Sequence, residues 1–217
     1  DYQKMSTLSG HMIIKNGIKF DYPFREACLS ILPICDEFVF IEGNGDDGTY
    51  EALMELREQY PKIIVYRKDW DKEHFSVLSE LTNKAIEKCN GDYHWQIQAD
   101  ECVHEDYLPL VKAACDEAVF DFFSFGVYHF FSNFNTIYQP GVFYDSFVRV
   151  AKKSTYPHLC SYSDAMSLGC PNYNSAKLLK ATMEHIKVFH YGYVRKPKQL
   201  IEKQKQKKAK ATMNSLR

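Results

Sequence analysis

The chain has 217 residues, with 27 Lys+Arg against 28 Asp+Glu, 45% apolar and 15% aromatic side chains. That composition excludes disorder and collagen-like repeats, and a single domain of roughly 200 residues buries about 70% of the surface its unfolded chain exposes. A formal net charge of −1 gives no global field that would draw in nucleic acid or an anionic membrane, so any polyanion contact must be local.

No run approaches the roughly 18 uninterrupted apolar residues of a membrane span, and Asp1-Tyr2-Gln3-Lys4 is unlike a signal peptide. The seven cysteines are an odd number without a CxxC pair. They read as buried free thiols in a reducing compartment, which makes the expected location cytoplasmic.

In chain order, residues 8–14 read as a strand running into the turn chemistry of Lys15-Asn16-Gly17. Phe24, Ala27, Cys28, Ile31 and Leu32 then share one face of a helix, with Pro23 near its first turn. Residues 37–41 form a short apolar strand that opens into the polar loop Glu42-Gly43-Asn44-Gly45-Asp46-Asp47-Gly48-Thr49. Thr49 or Asp47 can cap the next helix, whose Ala52, Leu53, Leu56 and Tyr60 face inward. A strand over 62–66, a helix over 76–89, a turn at Asn90-Gly91-Asp92 and a strand over 93–98 follow.

Four βα-type units in series predict a mostly parallel central sheet with helices on both faces. Ligands in such sheets sit beyond the carboxyl ends of the strands, which here carry Lys15-Asn16, residues 42–49, 67–71 and Gln98-Ala99-Asp100-Glu101. After a helix over 105–117, the β-prone stretches 120–131 and 142–150 suggest antiparallel additions in the C-terminal half. Residues 154–175 show little periodicity and read as a binding loop or lid. A last short strand over 186–189 ends in His190-Tyr191-Gly192-Tyr193, and a basic, helical tail with seven lysines runs from Lys196 to Lys210. The expected organisation is one domain over 1–195 followed by the tail, 196–217. The tail reads as a solvated helix face, with weak peripheral membrane contact as the sharper option.

Four segments, in order, resemble glycosyltransferase family 2 of the GT-A fold: Ile14-Lys15-Asn16-Gly17, the acidic loop 41–49, Ile97-Gln98-Ala99-Asp100-Glu101 in the place of the family's DxD motif, and Phe189-His190-Tyr191-Gly192-Tyr193-Val194-Arg195. The resemblance implies a GT-A-like nucleotide-sugar-binding fold and sugar transfer from a UDP- or GDP-type donor to a glycan or other acceptor hydroxyl. Such a donor needs acceptors for its base and ribose and a cation for its diphosphate. Glu42, Asn16 and Asp47 are candidates for the first task. Asp100, with His190, is a candidate for holding Mn²⁺ or Mg²⁺. The family's first DxD aspartate is Gln98 here, whose amide can still face a ribose hydroxyl, while Glu101 is a candidate to make up the lost charge. For an inverting transfer the candidate general base is Asp164, with Asp145 as the fallback. Arg149 and Arg195, and after them Lys152 and Lys153, are candidates to meet the diphosphate.

Each segment also has a structural explanation. Asn-Gly is a common turn pair, the 46–49 segment can be a helix cap, and Asp100-Glu101 can favour a following helix N-terminus. His94, His129 and His185 read as structural. Trp70, Phe75, Tyr128, Phe131 and Tyr138 could form a sugar-stacking surface, with core packing the commoner use of such residues. Two other functional classes remain open at this level: a catalytically silent nucleotide-sugar-binding module and a nucleotidyltransferase.

Overall fold

The computed structural model describes residues 5–70, 76–138, 146–171, 177–201 and 205. Its N-terminal half alternates strands and helices: β1 (Leu8–Ile14), α1 (Phe24–Ile31), β2 (Glu37–Glu42), α2 (Thr49–Gln59), β3 (Ile63–Arg67), α3 (Val77–Lys88) and β4 (Tyr93–Gln96). After the short β5 (Glu101–Val103) and α4 (Leu108–Glu117), the chain is mainly β: β6 (Phe122–Phe131), β7 (Ser146–Lys152), the two-residue β8 (Cys160–Ser161) and β9 (Leu168–Gly169), and the long β10 (Lys180–Tyr193).

The main sheet among the described residues runs β3-β2-β1-β4-β7-β6-β10-β5. The strands from β3 to β4 are parallel, β7 is antiparallel to both β4 and β6, β10 is parallel to β6, and β5 closes the far edge antiparallel to β10. The order therefore reverses between β1 and β4, and such a switch point opens a crevice beyond the carboxyl ends of those two strands.

Burial on both faces explains the near-continuous apolar run of β2. Phe38 and Phe40 pack with residues of α1 and α2, including Phe24, Ile31 and Leu53. Val39 and Ile41 point the other way, into a cluster with Val77, Leu81 and Ala85 of α3. No helix among the described residues is long and apolar enough to cross a membrane. All seven cysteines are free, four of them buried, and burial raises the pKa of each thiol, so all are protonated at neutral pH.

Several elements differ from the expectation. Tyr60 follows α2 as an exposed C-cap residue. The strand expected over 93–98 ends at Gln96, because the chain turns at Ala99-Asp100 to start β5. The 154–175 stretch is not structureless: a 3₁₀ turn over Lys153–Thr155 leads into the β8–β9 ladder, while 172–176 lie outside the described residues. The last strand is far longer than 186–189, and its register shifts twice against β6. Residues 197–201 are helical, and most of the basic tail beyond them is outside the described residues.

His11 of β1 and His94 of β4 lie side by side in the sheet, Nε2 to Nδ1 at 3.2 Å, with no exposure. Burial, then the neighbouring His94, pushes His11 well below the ordinary value, and burial lowers His94 to about 3. The unfolded chain takes up these protons near pH ~6.5 and the fold does not, so this stability is complete above ~6.5 and is lost progressively as pH falls from there toward ~3. Urea midpoints should therefore drop on acidification, by up to about 1.4 kcal/mol per pH unit for each histidine. A His94→Gln variant with the same pH dependence as the parent would show that the pair is not responsible.

Candidate functional site

The polar groups at the carboxyl edge of the parallel strands form two centres. In the first, the Glu42 carboxylate at the end of β2 is wholly buried. It accepts from the backbone N–H of Asn44 (3.1 Å) and Gly45 (2.7 Å) and from Arg67 Nε (2.8 Å). Arg67 in turn covers the ring of Tyr50 at 4.3 Å. Glu42 thus folds the loop that follows it back against its own strand. A Cβ on Gly45 would fall 2.6 Å from Asn16 Oδ1 and 3.2 Å from Glu42 Oε1, so only glycine lets these groups approach. Asn16, in left-handed backbone at φ 54°, keeps Oδ1 buried without a hydrogen-bond partner among the described residues. A buried acceptor in that condition is costly unless something outside the chain satisfies it.

Asp47 lies beside this centre and ties two loops together. It accepts from Lys19 N–H (2.7 Å), Thr49 N–H (3.1 Å) and the Thr49 hydroxyl (2.6 Å) at the start of α2, whose N-cap is neither Asp47 nor Thr49 but Gly48, in left-handed backbone at φ 88°. Burial opposes its ionisation, but the hydrogen bonds from Lys19 and Thr49 outweigh it and hold the carboxyl below its ordinary value.

The second centre surrounds Gln98, Asp100 and Glu101 after β4. Asp100 Oδ2 takes Arg195 Nη2 at 2.8 Å, and the same guanidinium donates to the Phe20 carbonyl at 2.7 Å and covers Tyr22 at 3.8 Å. Glu101 is paired with Arg149, both side chains 1% exposed, and its other oxygen accepts from Gln98 N–H at 2.9 Å. Arg149 also donates to the Met166 carbonyl. His190 Nε2 stands 3.8 Å from Asp100 Oδ1, and its Nδ1 lies 2.9 Å from His129 Nδ1. A small cleft opens here, lined by Gln98, Glu101, Arg149, Met166 and both histidines, His129 and His190. The β1–α1 loop joins the two centres, since Arg195 holds Phe20 and Asp47 holds Lys19.

Among the described residues no group of three or more His, Cys, Asp or Glu side chains is arranged to hold a metal ion. Asp100 and His190 offer two donor atoms. That number suits Mg²⁺ or Mn²⁺ only if phosphate and water oxygens complete the shell, which is the usual habit of Mg²⁺. Gly192 is part of this arrangement, because a Cβ there would fall 2.6 Å from His190 Nε2 and 3.2 Å from Asp100 Oδ2.

Asn16, Glu42 and Asp47 therefore come together in one centre, and Gln98, Asp100, Glu101, Arg149, Arg195 and His190 in the other. Asp164 is half-buried in the turn before β9, where Oδ1 accepts from Met166 N–H at 3.2 Å. Asp145 and Phe75 lie outside the described residues. Lys152 and Lys153 are not at this edge: β7 runs antiparallel and sets Lys152 opposite Tyr93 at the start of β4. There Lys152 Nζ binds the Ala118 carbonyl and Lys153 Nζ that of Ile86. Of the aromatic set only Phe131 and Tyr138 meet among the described residues, with ring centroids 5.1 Å apart. Trp70 packs over Gly43, while Tyr128 and Phe131, three apart on β6, point to opposite faces. Sequence reasoning missed the positions of His129 and Tyr22. His129 meets His190 through β6–β10 register, a pairing across 61 residues that no local pattern reveals.

A strand-order switch with acidic and amide groups at its open edge is where open α/β sheets place their ligands. The chain belongs to glycosyl transferase family 2, whose profile matches residues 26–174. Among solved structures it is similar to TarS of S. aureus, with a TM-score of 0.58 and 11% identity over 90% of this chain and 38% of that one. It is also similar to TarS 1–349 in complex with UDP, with a TM-score of 0.47 and 16% identity over 61% of this chain. The chain spans 38% of either TarS chain, and at 11% identity the first likeness concerns the fold alone. A search of curated proteins finds no match.

Gly192→Ala should leave the fold intact while displacing the His190 ring. If this centre carries out a transfer reaction, its rate is then expected to fall by about 10²-fold, as for other small misplacements at a reacting centre. An unchanged rate with a shifted His190 ring signal in NMR spectra would remove His190 from the reaction.

Proposed function

We propose that this domain moves a glycosyl group from a nucleoside-diphosphate sugar to an acceptor hydroxyl, with inversion at the anomeric carbon. The observation that carries this reading is that Asn16 and Glu42 in one centre, and Asp100 in the other, all lie past the carboxyl ends of the adjacent strands β1, β2 and β4 in a chain of glycosyl transferase family 2. Asn16 Oδ1, the buried acceptor without a partner, is assigned to a donor N–H or O–H of the nucleoside. Glu42 shapes that pocket through its loop contacts.

The diphosphate is assigned to the second centre, with Mn²⁺ or Mg²⁺ held by Asp100 Oδ1 and His190 Nε2. The cation, when bound, supplies neutralisation of the charge that grows on the leaving diphosphate. Arg195 and Arg149 act here by orienting carboxylates, since each already has its anion. Glu101 is left out of the ligand set for the same reason. Asp164 is assigned as the base. It takes the acceptor proton while the acceptor oxygen bonds to the anomeric carbon, the bond from that carbon to the phosphate oxygen breaks, and the nucleoside diphosphate leaves with the electron pair.

One observation favours a second reading, a binding module that does not turn over: among the described residues no group of three metal donors is assembled, and both acids of the second centre are ion-paired. Family membership speaks against a nucleotidyltransferase. Free, protonated thiols fit a cytoplasmic setting.

A thermal-shift panel of UDP, GDP and their sugars, with and without Mn²⁺, separates these readings. A specific donor at 100 times its Kd should add about 2.7 kcal/mol of stability, and chelation with EDTA should abolish turnover. No shift with any nucleotide would overturn the assignment, and binding without transfer would leave the module. Asp164→Asn should keep the donor shift and lower the rate by about 10² to 10⁴-fold; full activity in that variant would reassign the base.

A further inference from the structure

Gln98 departs from the acid expected at its position, and its amide is already engaged. Gln98 Nε2 donates to the Ala165 carbonyl at 3.2 Å, and Gln96 Nε2, two residues earlier, donates to the same oxygen at 2.7 Å. The turn that carries this carbonyl is unusual. Ser163 and Ala165 both sit in left-handed backbone, at φ 55° and 59°, with Asp164 between them. L residues avoid that region, and a turn with two of them persists only when its surroundings hold it. Further ties come from the Met166 carbonyl, which accepts from Arg149, and from Ser167 Oγ, which accepts from Val148 N–H at 3.0 Å. Met166, one residue past the clamped carbonyl, lines the cleft.

We infer that Gln96 and Gln98 act together as an amide clamp on the Ala165 carbonyl, and that Gln98 is thereby a positioning residue for Asp164 rather than a ligand of the donor. An ionised carboxylate has no proton to donate, so an aspartate or glutamate at position 98 would set its oxygens against the carbonyl and release the turn. The amide is the side chain this turn requires. The link to catalysis rests on the reading of Asp164 as the base, whereas the clamp itself does not.

The test uses two variants of the full chain, Gln98→Glu and Gln98→Met. Gln98 is only half-buried, so both should fold. Both lose the donor, and only the first adds charge. Amide hydrogen exchange over 162–167 should speed up by about tenfold or more in both variants. The kcat should fall by about 10- to 100-fold, with the donor KM within about twofold of the parent. Unchanged exchange overturns the clamp. A loss of nucleoside-diphosphate affinity of about tenfold, with exchange unchanged, would instead make Gln98 a donor ligand. Faster exchange in both variants, together with full activity of Asp164→Asn, would support the clamp and remove the assigned base, so the two failures are separable.

Discussion

Two consecutive carboxylates, Asp100 and Glu101, are buried just past β4, 6% and 1% exposed, and each is neutralised by an arginine from a distant part of the chain. Burying either charge alone would be prohibitive, and removing one partner of such a pair typically costs about 3–5 kcal/mol because the other charge is left uncompensated. The arrangement therefore constrains far more than two contacts. Arg149 binds β7 to the β4–β5 turn. Arg195 brings the end of β10 across to that turn and, through the Phe20 carbonyl, to the loop after β1. The parallel and mixed halves of the sheet share a polar seam where the strand order switches.

That seam divides the polar groups by what they can still do. Glu101, Arg149, Arg195 and Asp47 are each held by partners within the chain and fix loops in place, although the Nε of both arginines stays buried without a partner among the described residues. His190 lines the cleft with Nε2 3.8 Å from Asp100 Oδ1, while Asn16 Oδ1 is a buried acceptor without a partner among the described residues. His129 Nδ1 holds the opposite side of the His190 ring, and such an outer hydrogen bond orients a histidine whichever group its other nitrogen meets.

The fold was legible in the sequence wherever burial imposes a period. The helical spacing of Phe24, Ala27, Cys28 and Ile31 and the apolar run into Glu42 mark α1 and β2 because packing selects those residues directly. β10 was largely hidden, since Lys180, Glu184, His185 and Lys187 interrupt its apolar pattern and its register shifts twice. At the site, the acids and the amide at strand ends could be located because a parallel sheet puts those ends on one edge. Their partners could not. Which arginine meets which acid depends on strand direction and long-range pairing, and the same ignorance of direction made Lys152 and Lys153 look available when β7 carries them to the opposite edge.

Gln98 shows how a local departure can have a nonlocal cause. Read beside Asp100 alone, an amide in place of an acid means one charge fewer near a cation. The Ala165 carbonyl, 67 residues further on, changes that meaning. Gln96, the last residue of β4, and Gln98, two residues past it, supply donors to that carbonyl, and an acid at either position would bring lone pairs against lone pairs. The loss of charge near Asp100 is then the consequence of holding the 162–167 turn. The charge requirement of the centre falls on Asp100, whose one oxygen Arg195 fixes so that the other faces His190.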